Sequence, residues 1–361
     1  RRLQRLAHSF SGKKEKWCAV VNIFAASRKA VNMWRKAESH LKKDGVPYEA
    51  LMTGDGGNAM NLTCTACGEG YRKFIAVGGD GTVNEVARSL IHTNVALGII
   101  PCGSGNGLAR HLCIPMNADG ALRVLSECHI EELDYGIIDQ TPFFCTCGIG
   151  FGAFISDRFA KAGKRGLLTY IENTLKEGLK YKPDTYEITV DGEKQVYKAF
   201  LIACANANQY GNNVYIAPHA NMSDGLMDVT LMEPFSLFEA PQIAIQLFNK
   251  TIMTNSRIHS FQCRHLHIKR SSPGVIHFDG DPKEADKEVD VRLVPKGIRM
   301  VVNTHEQPYL PPLLHMFADF YHEVNEEITT LGANIRADFL EGQRRISTVN
   351  KELLRKLRKK P

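Results

Sequence analysis

From Trp17 to Pro101 the chain alternates short apolar runs with longer amphipathic ones. Runs at 17–21, 48–52, 74–77 and 95–100 predict strands, and the stretches 28–43, 58–67 and 83–92 between them repeat apolar residues at helical spacing. A strand leads each pair, which predicts a parallel sheet with crossover helices, the doubly wound α/β arrangement.

After about Leu133 the pattern changes. Strand-like segments at 133–139, 143–147, 186–190, 197–205, 227–232, 261–269, 275–278 and 289–302 follow one another, the last broken at Pro295-Lys296-Gly297. Asp191-Gly192 is a type I′ hairpin signal, and helical insertions are expected near 154–182 and 237–254. This second part reads as mainly antiparallel β. Beyond the proline-rich 308–312, Val324, Ile328, Leu331, Ile335 and Phe339, then Ile346, Val349, Leu353 and Leu357, recur near heptad spacing. They predict an amphipathic helix or coiled coil, weakened by about 1 kcal/mol at each of Gly332 and Gly342. The expected organisation is an α/β domain at 14–132, a β-rich domain at 133–305 and a helical basic tail at 313–361.

The 361 residues carry a net charge of +6, concentrated at the ends. Residues 1–16 hold six Lys/Arg and one Glu, and residues 342–361 hold eight Lys/Arg and one Glu, so the body between them is net acidic. A nucleic-acid groove in the body is excluded on that ground. No apolar run reaches the length of a membrane span, so contact with a bilayer would be peripheral, made by the basic ends at about 1 kcal/mol per basic residue near an anionic surface. Ten cysteines without a disulfide-scaffold density or an apolar leader suggest reduced thiols in a cytoplasm, on the inner side of the membrane. Cys64 and Cys67, like Cys145 and Cys147, lack a second ligand pair at zinc spacing.

Chemistry concentrates in two glycine turns. The 74–77 strand runs into Gly78-Gly79-Asp80-Gly81, and a helix is expected to open with Thr82 as N-cap and Glu85 three residues on, the spacing of a capping box. Glycines at such a turn present backbone N–H groups to phosphate oxygens, and the helix dipole adds partial positive charge. Asp80 conflicts with bound phosphate unless it holds a metal, takes a proton or orients a donor. About 25 residues later, Pro101-Cys102-Gly103-Ser104-Gly105-Asn106-Gly107 repeats the arrangement after the next strand. Two such loops at strand carboxyl ends flank one crevice, where doubly wound folds bind ligands. The Walker pattern is absent, and a dinucleotide fingerprint is matched only with its last glycine replaced. Arg110 and His111 lie close by, equally suited to phosphate neutralisation or to packing.

GGDGTVNEV followed by PCGSGNGLARHL resembles the catalytic domain of the diacylglycerol kinase and sphingosine kinase superfamily, and most of all its bacterial lipid kinases. The likeness extends from about Cys18 to Asn303. It implies a phosphofructokinase-like nucleotide domain, a C-terminal β-sandwich, ATP and lipid meeting in the cleft with Mg²⁺, and a chain that can form a homodimer. By that resemblance Gly78, Gly79, Asp80, Gly81, Thr82, Val83, Asn84 and the neighbouring Glu85 hold the ATP phosphates, and Gly103, Ser104 and Asn106 add contacts. Thr53 and Asn22 lie near the nucleotide, although Asn22-Ile23-Phe24-Ala25-Ala26-Ser27 departs from the family's Asn-Pro and glycine pattern. Asp157 lies where related kinases read the lipid head group. Asn221, Asp224 and Leu226, within SDGLMDV, match the family's structural metal loop, with hard oxygen donors suited to Mg²⁺. Finally, Asp279-Gly280-Asp281 stands where the family has a DGE motif whose Glu is the catalytic base, so Asp281 is one methylene shorter than expected. Asp80, Asp281 and Asp279 are all candidate catalytic residues.

Two other readings stay open at this point. One is a soluble-substrate kinase of the NAD kinase or phosphofructokinase type. The other is a weakly active or non-catalytic lipid or nucleotide sensor, suggested by DGD in place of DGE.

Overall fold

The computed structural model describes residues 16–24, 29–53, 58–152, 182–236 and 239–305. Its first four strands lie where the apolar runs place them: β1 (Trp17–Asn22), β2 (Tyr48–Thr53), β3 (Lys73–Gly78) and β4 (Ala96–Pro101). They form a parallel sheet in the order β2-β1-β3-β4. Helices α1 (Lys29–Lys43), α2 (Ala59–Gly68) and α3 (Asp80–Leu90) make the crossovers. Phe74, Ile75, Ala76 and Val77 of β3 are fully buried, because strands covered on both faces need apolar side chains on both.

After the short α4 (Gly107–His111) comes α5 (Ala118–Glu127), a helix that the pattern reading passed over. The Asn117 side chain accepts from Gly120 N at 2.8 Å to cap it, and Ala118, Ala121, Leu122 and Leu125 bury one face. The chain then enters β5 (Ile130–Ile138) and β6 (Thr141–Phe143).

One long strand ties the halves together. β16 (Glu288–Val301) runs parallel to β4 through Arg299 and Met300, and antiparallel to β5 along most of its length. Its other end pairs with β13 (His265–Lys269), which continues through β8 (Asp184–Val190) to β9 (Glu193–Ala199), completing a ten-stranded sheet. Asp191 and Gly192 both have positive φ between β8 and β9, as the hairpin signal requires. A second sheet of six antiparallel strands contains β7 (Thr146–Gly150), β10 (Leu201–Ala205), β11 (Met227–Met232), β12 (Ile258–Cys263), β14 (Gly274–Phe278) and β15 (Asp281–Ala285), in the order β12-β11-β10-β7-β14-β15. Ile188, Leu266 and Val291 of the first sheet pack with Ile202, Val229 and Ile276 of the second to make the sandwich core. Helix α6 (Ala240–Phe248) and a 3₁₀ turn at Ile252–Thr254 cover part of the expected 237–254 insertion.

Four strand expectations are corrected by the sheets. The runs 143–147, 197–205 and 261–269 each read as one strand, yet each ends in one sheet and restarts in the other, turning at Phe144-Cys145, Phe200 and Arg264. The run 289–302, in contrast, is not broken at Pro295: the strand continues with a register shift between Val294 and Ile298. Gly297 lies in that bulge, where a Cβ would stand 2.2 Å from the Tyr135 ring. None of the ten cysteines forms a disulfide. The expected 154–182 insertion, apart from Lys182, the helical tail and the basic ends before Lys16 lie outside the described residues.

Candidate active site

Helix α3 begins at Asp80 with Gly79, in extended conformation, as its N-cap. The expected capping box is absent, because both of its side chains serve neighbouring elements. Thr82 Oγ1 accepts from Asn22 Nδ2 at 2.9 Å, fastening the helix to the end of β1, and Glu85 Oε2 accepts from Ala59 N at 3.1 Å, at the start of α2. A Cβ on Gly78 would lie 2.5 Å from Thr82, and one on Gly103 would lie 2.7 Å from the Gly79 Cα, so the two glycine loops touch through their backbones.

Asp80 joins them. Its Oδ2 accepts from Asn106 N at 2.8 Å and its Oδ1 from Gly107 N at 2.7 Å. Burial pushes the Asp80 carboxyl above its usual range while those two N–H groups pull it down. Asn106 adopts the left-handed conformation and closes the second loop on itself, accepting from Gly103 N at 2.9 Å and donating to Gly103 O at 2.7 Å. Ser104 is exposed at the loop tip. Arg110 and His111 hold neighbouring backbone: Arg110 Nε donates to Gly105 O at 3.0 Å, and the His111 ring accepts from Asn208 N at 3.2 Å.

The residues present suit a nucleotide's phosphate chain. The first N–H groups of a helix lack intrahelical acceptors and carry partial positive charge. At this helix start Gly81 is exposed, with nothing within 4 Å of the place a Cβ would take. At the end of β2, in register with Asn22, Thr53 Oγ1 is buried without a hydrogen-bond partner among the described residues.

Opposite this edge lies the DGD turn. Asp279 has φ +48°, and its carboxylate accepts from Phe144 N at 2.8 Å, Cys145 N at 2.7 Å, Thr146 N at 3.1 Å and the Asn84 side-chain amide. The chain frees those three N–H groups by leaving the first sheet at Phe143 and joining the second at Thr146. Burial raises the Asp279 pKa to about 6, with the N–H donors opposing it. Asp281, at the start of β15, is exposed as a residue. Partial desolvation of its carboxyl raises its pKa, Arg88 pulls it down, and Glu85 and Asp80 add to the rise. Arg88 itself stacks 5.0 Å from the Phe278 ring centre.

A cleft of about 170 Å³ opens between these parts. Asp80, Val83 and Asn84 line one side, and Phe144, Cys145, Thr146, Tyr210, His277 and Asp279 the other. Sequence reasoning singled out Val83, Asn84, Asp80 and Asp279, but not Thr146, Tyr210 or His277. The signal for His277 was a lone imidazole inside an otherwise apolar strand.

Asn221, Asp224 and Leu226 lie together in a tight loop before β11. Asn221 Oδ1 accepts from Ser223 N at 3.0 Å, and Asp224 Oδ1 accepts from Leu226 N at 2.9 Å. Among the described residues no group of three or more His, Cys, Asp or Glu is placed to hold a metal, so a cation here would rest on Asp224 and backbone carbonyls. Asp134, which the sequence reading missed, supports this loop from beneath: it is 1% exposed and accepts from Gly225 N at 2.8 Å and Lys296 N at 2.7 Å. Asp157 lies outside the described residues.

Residues 16–138 match the family described as diacylglycerol kinase catalytic domain, and residues 147–302 match the YegS C-terminal NAD kinase beta sandwich-like domain. A protein of Chromohalobacter salexigens named "Probable lipid kinase YegS-like" is 34% identical over 223 residues, spanning 60% of this chain and 71% of its own. The chain belongs to the diacylglycerol kinase and YegS-like lipid kinase family. A diacylglycerol kinase of Mycobacterium tuberculosis is 26% identical over 296 residues, covering 80% of this chain and 95% of that one. The crystal structure of a diacylglycerol kinase from Bacillus anthracis superposes with a TM-score of 0.65 at 21% identity, over 80% of this chain and 97% of that chain. It shares the fold. Among the described residues of this lipid kinase family member, no helix is long and apolar enough to cross a membrane.

Proposed function

We propose that this family member transfers the γ-phosphoryl group of ATP to a hydroxyl of diacylglycerol, a sphingoid base or a related lipid. The observation that carries this reading is the bond from Asn84, on the glycine-loop helix, to Asp279, in the DGD turn. It brings the turn with the candidate base to the helix whose N-terminus suits phosphate. ATP with Mg²⁺ would supply the phosphoryl group and offset its charge.

Each carboxylate then has its own part. Asp80 gives both oxygens to Asn106 N and Gly107 N, so it holds the two phosphate loops together. Asp279 gives its oxygens to three backbone N–H groups and Asn84, so it fixes the turn. Among the described residues Asp281 has only through-space charge partners, and it is the carboxylate we assign to accept the proton of the attacking hydroxyl. Asp224 and the carbonyls of its loop would hold a structural Mg²⁺. Binding at an anionic membrane face through the basic ends, from the cytoplasmic side, would bring this machinery to its substrate.

The test is transfer of label from γ-labelled ATP, with Mg²⁺, to a total lipid extract presented beside soluble sugars and nucleotides. Label in a chloroform-soluble product supports the proposal. Faster labelling of a soluble acceptor would favour the NAD kinase-like alternative, and no labelling of any acceptor would favour a sensor.

A further inference from the structure

His277 is 3% exposed, yet it lines the cleft. Its neighbours on β14, Ile276 and Phe278, belong to the sandwich core, so the alternation of a strand turns His277 to the opposite face, toward the cleft. The imidazole lies beside Gly148, its register partner on β7, where a Cβ would stand 3.1 Å from Nε2. It meets the Tyr210 ring edge to face at 5.8 Å. A Cβ on Gly152 would come within 3.5 Å of Nε2 and 3.7 Å of Tyr210 Oη, so the absent side chain leaves room in front of both polar atoms.

Nδ1 is buried without a hydrogen-bond partner among the described residues. An unpaired ring nitrogen in such a place is destabilising, and phenylalanine would fill the same space without that cost. Burial lowers the pKa of His277 to about 4, so the ring is neutral near pH 7 and offers one donor and one acceptor. It is too weak a base there to take a substrate proton efficiently. What remains for it is recognition of an oxygen or hydroxyl brought in by a ligand.

We propose that His277, backed by Tyr210, forms a subsite that hydrogen-bonds an uncharged oxygen of the acceptor lipid's head group beside the reacting hydroxyl, and so favours diacylglycerol-type head groups over simple long-chain alcohols. This rests on the lipid-kinase reading above. The comparison uses the full chain in mixed micelles with 1,2-dioctanoylglycerol or 1-decanol as acceptor. Relative to the unaltered protein, the ratio of kcat/KM for the two acceptors is expected to fall about tenfold in His277→Phe, the scale of one lost hydrogen bond, and to recover in part in His277→Gln. An unaltered ratio in His277→Phe would overturn the subsite while leaving the lipid-kinase reading standing. Loss of a limb of the pH profile between pH 6 and 8 in either variant would also overturn it, by assigning His277 to proton transfer. If neither acceptor is phosphorylated by the unaltered protein, the lipid-kinase reading falls and the subsite with it. Should His277→Phe not fold, His277→Gln carries the ratio measurement, together with imidazole NMR of the unaltered protein. The His277 resonance is expected to move on adding dioctanoylglycerol and not on adding decanol, and equal movement with both would overturn the subsite.

Discussion

The side-chain amide of Asn84 donates to the carboxylate of Asp279, joining residues 195 positions apart. The bond reaches from the helix of the first glycine loop to the turn that ends β14. Asn84→Ala removes one of four donors from a buried carboxylate, and is expected to cost about 1–3 kcal/mol of stability at pH 7.5, measured by urea unfolding. It should also raise the pKa of Asp279 further, because a donor that favours the charged form has gone.

The pH dependence of stability follows from the same carboxylate. Its folded pKa of about 6 lies above the ordinary 3.8, so between those values the folded state binds more proton than the unfolded state. Stability from this group is therefore greatest at low pH, declines as pH rises from about 4 to about 6, and levels off above. The unfolding free energy of the unaltered protein minus that of Asp279→Asn should fall through that window. A difference that rose with pH would contradict the assigned direction.

Asp80 holds the two phosphate loops by bonds to Asn106 N and Gly107 N, so Asp80→Ala should act on binding as well as on stability. The expected loss is about 3 kcal/mol, from two charge-assisted bonds. Nucleotide affinity, read by titration calorimetry, should weaken more than affinity for lipid. Gly103→Ala attacks the same junction by a different route, since its Cβ would press within 2.7 Å of the Gly79 backbone. It should cost about 1–3 kcal/mol, the range of an overpacked contact.

Asp281→Asn should leave thermal unfolding within about 0.5 kcal/mol of the unaltered protein, as for most exposed positions. Its kcat for lipid phosphorylation should fall about 10²- to 10⁴-fold, the usual contribution of a general base. Asp281→Glu, which reaches about 1 Å farther and restores the family's residue, is expected to keep or raise kcat. Equal kcat values in Asp281→Asn and the unaltered protein would move the base elsewhere.

The parallel half of the fold was legible because strands buried on both sides write themselves as unbroken apolar runs. β3 and β4 differ from their predicted spans by one residue at each end. The sandwich was legible in kind but not in joints. Phe143 and Phe200 sit in largely apolar runs, and Cys263 in an alternating one, that continue past the place where the chain changes sheets, and hydrophobicity does not record which sheet receives each part. The environment of Asp279 was hidden for the same reason, since its donors, Phe144 N, Cys145 N and Thr146 N, exist only because of one such change. Thr82 and Glu85 had the spacing of a local cap, but long-range partners, Asn22 and Ala59, took their side chains. The glycine loops were readable at once, since their chemistry is local. Tyr210 and His277 were not, because nothing in sequence brings them together.

The position of β16 bears on how the chain is made. The strand between β4 and β13 is the last of the sixteen described strands to leave the ribosome, so β4 must wait with an open flank while nearly two hundred further residues are synthesised. Until Arg299 and Met300 arrive, the early half is a nascent sheet exposed to wrong pairing, and completion depends on contacts of very long sequence separation. An order of strands that defers this pairing favours slow folding.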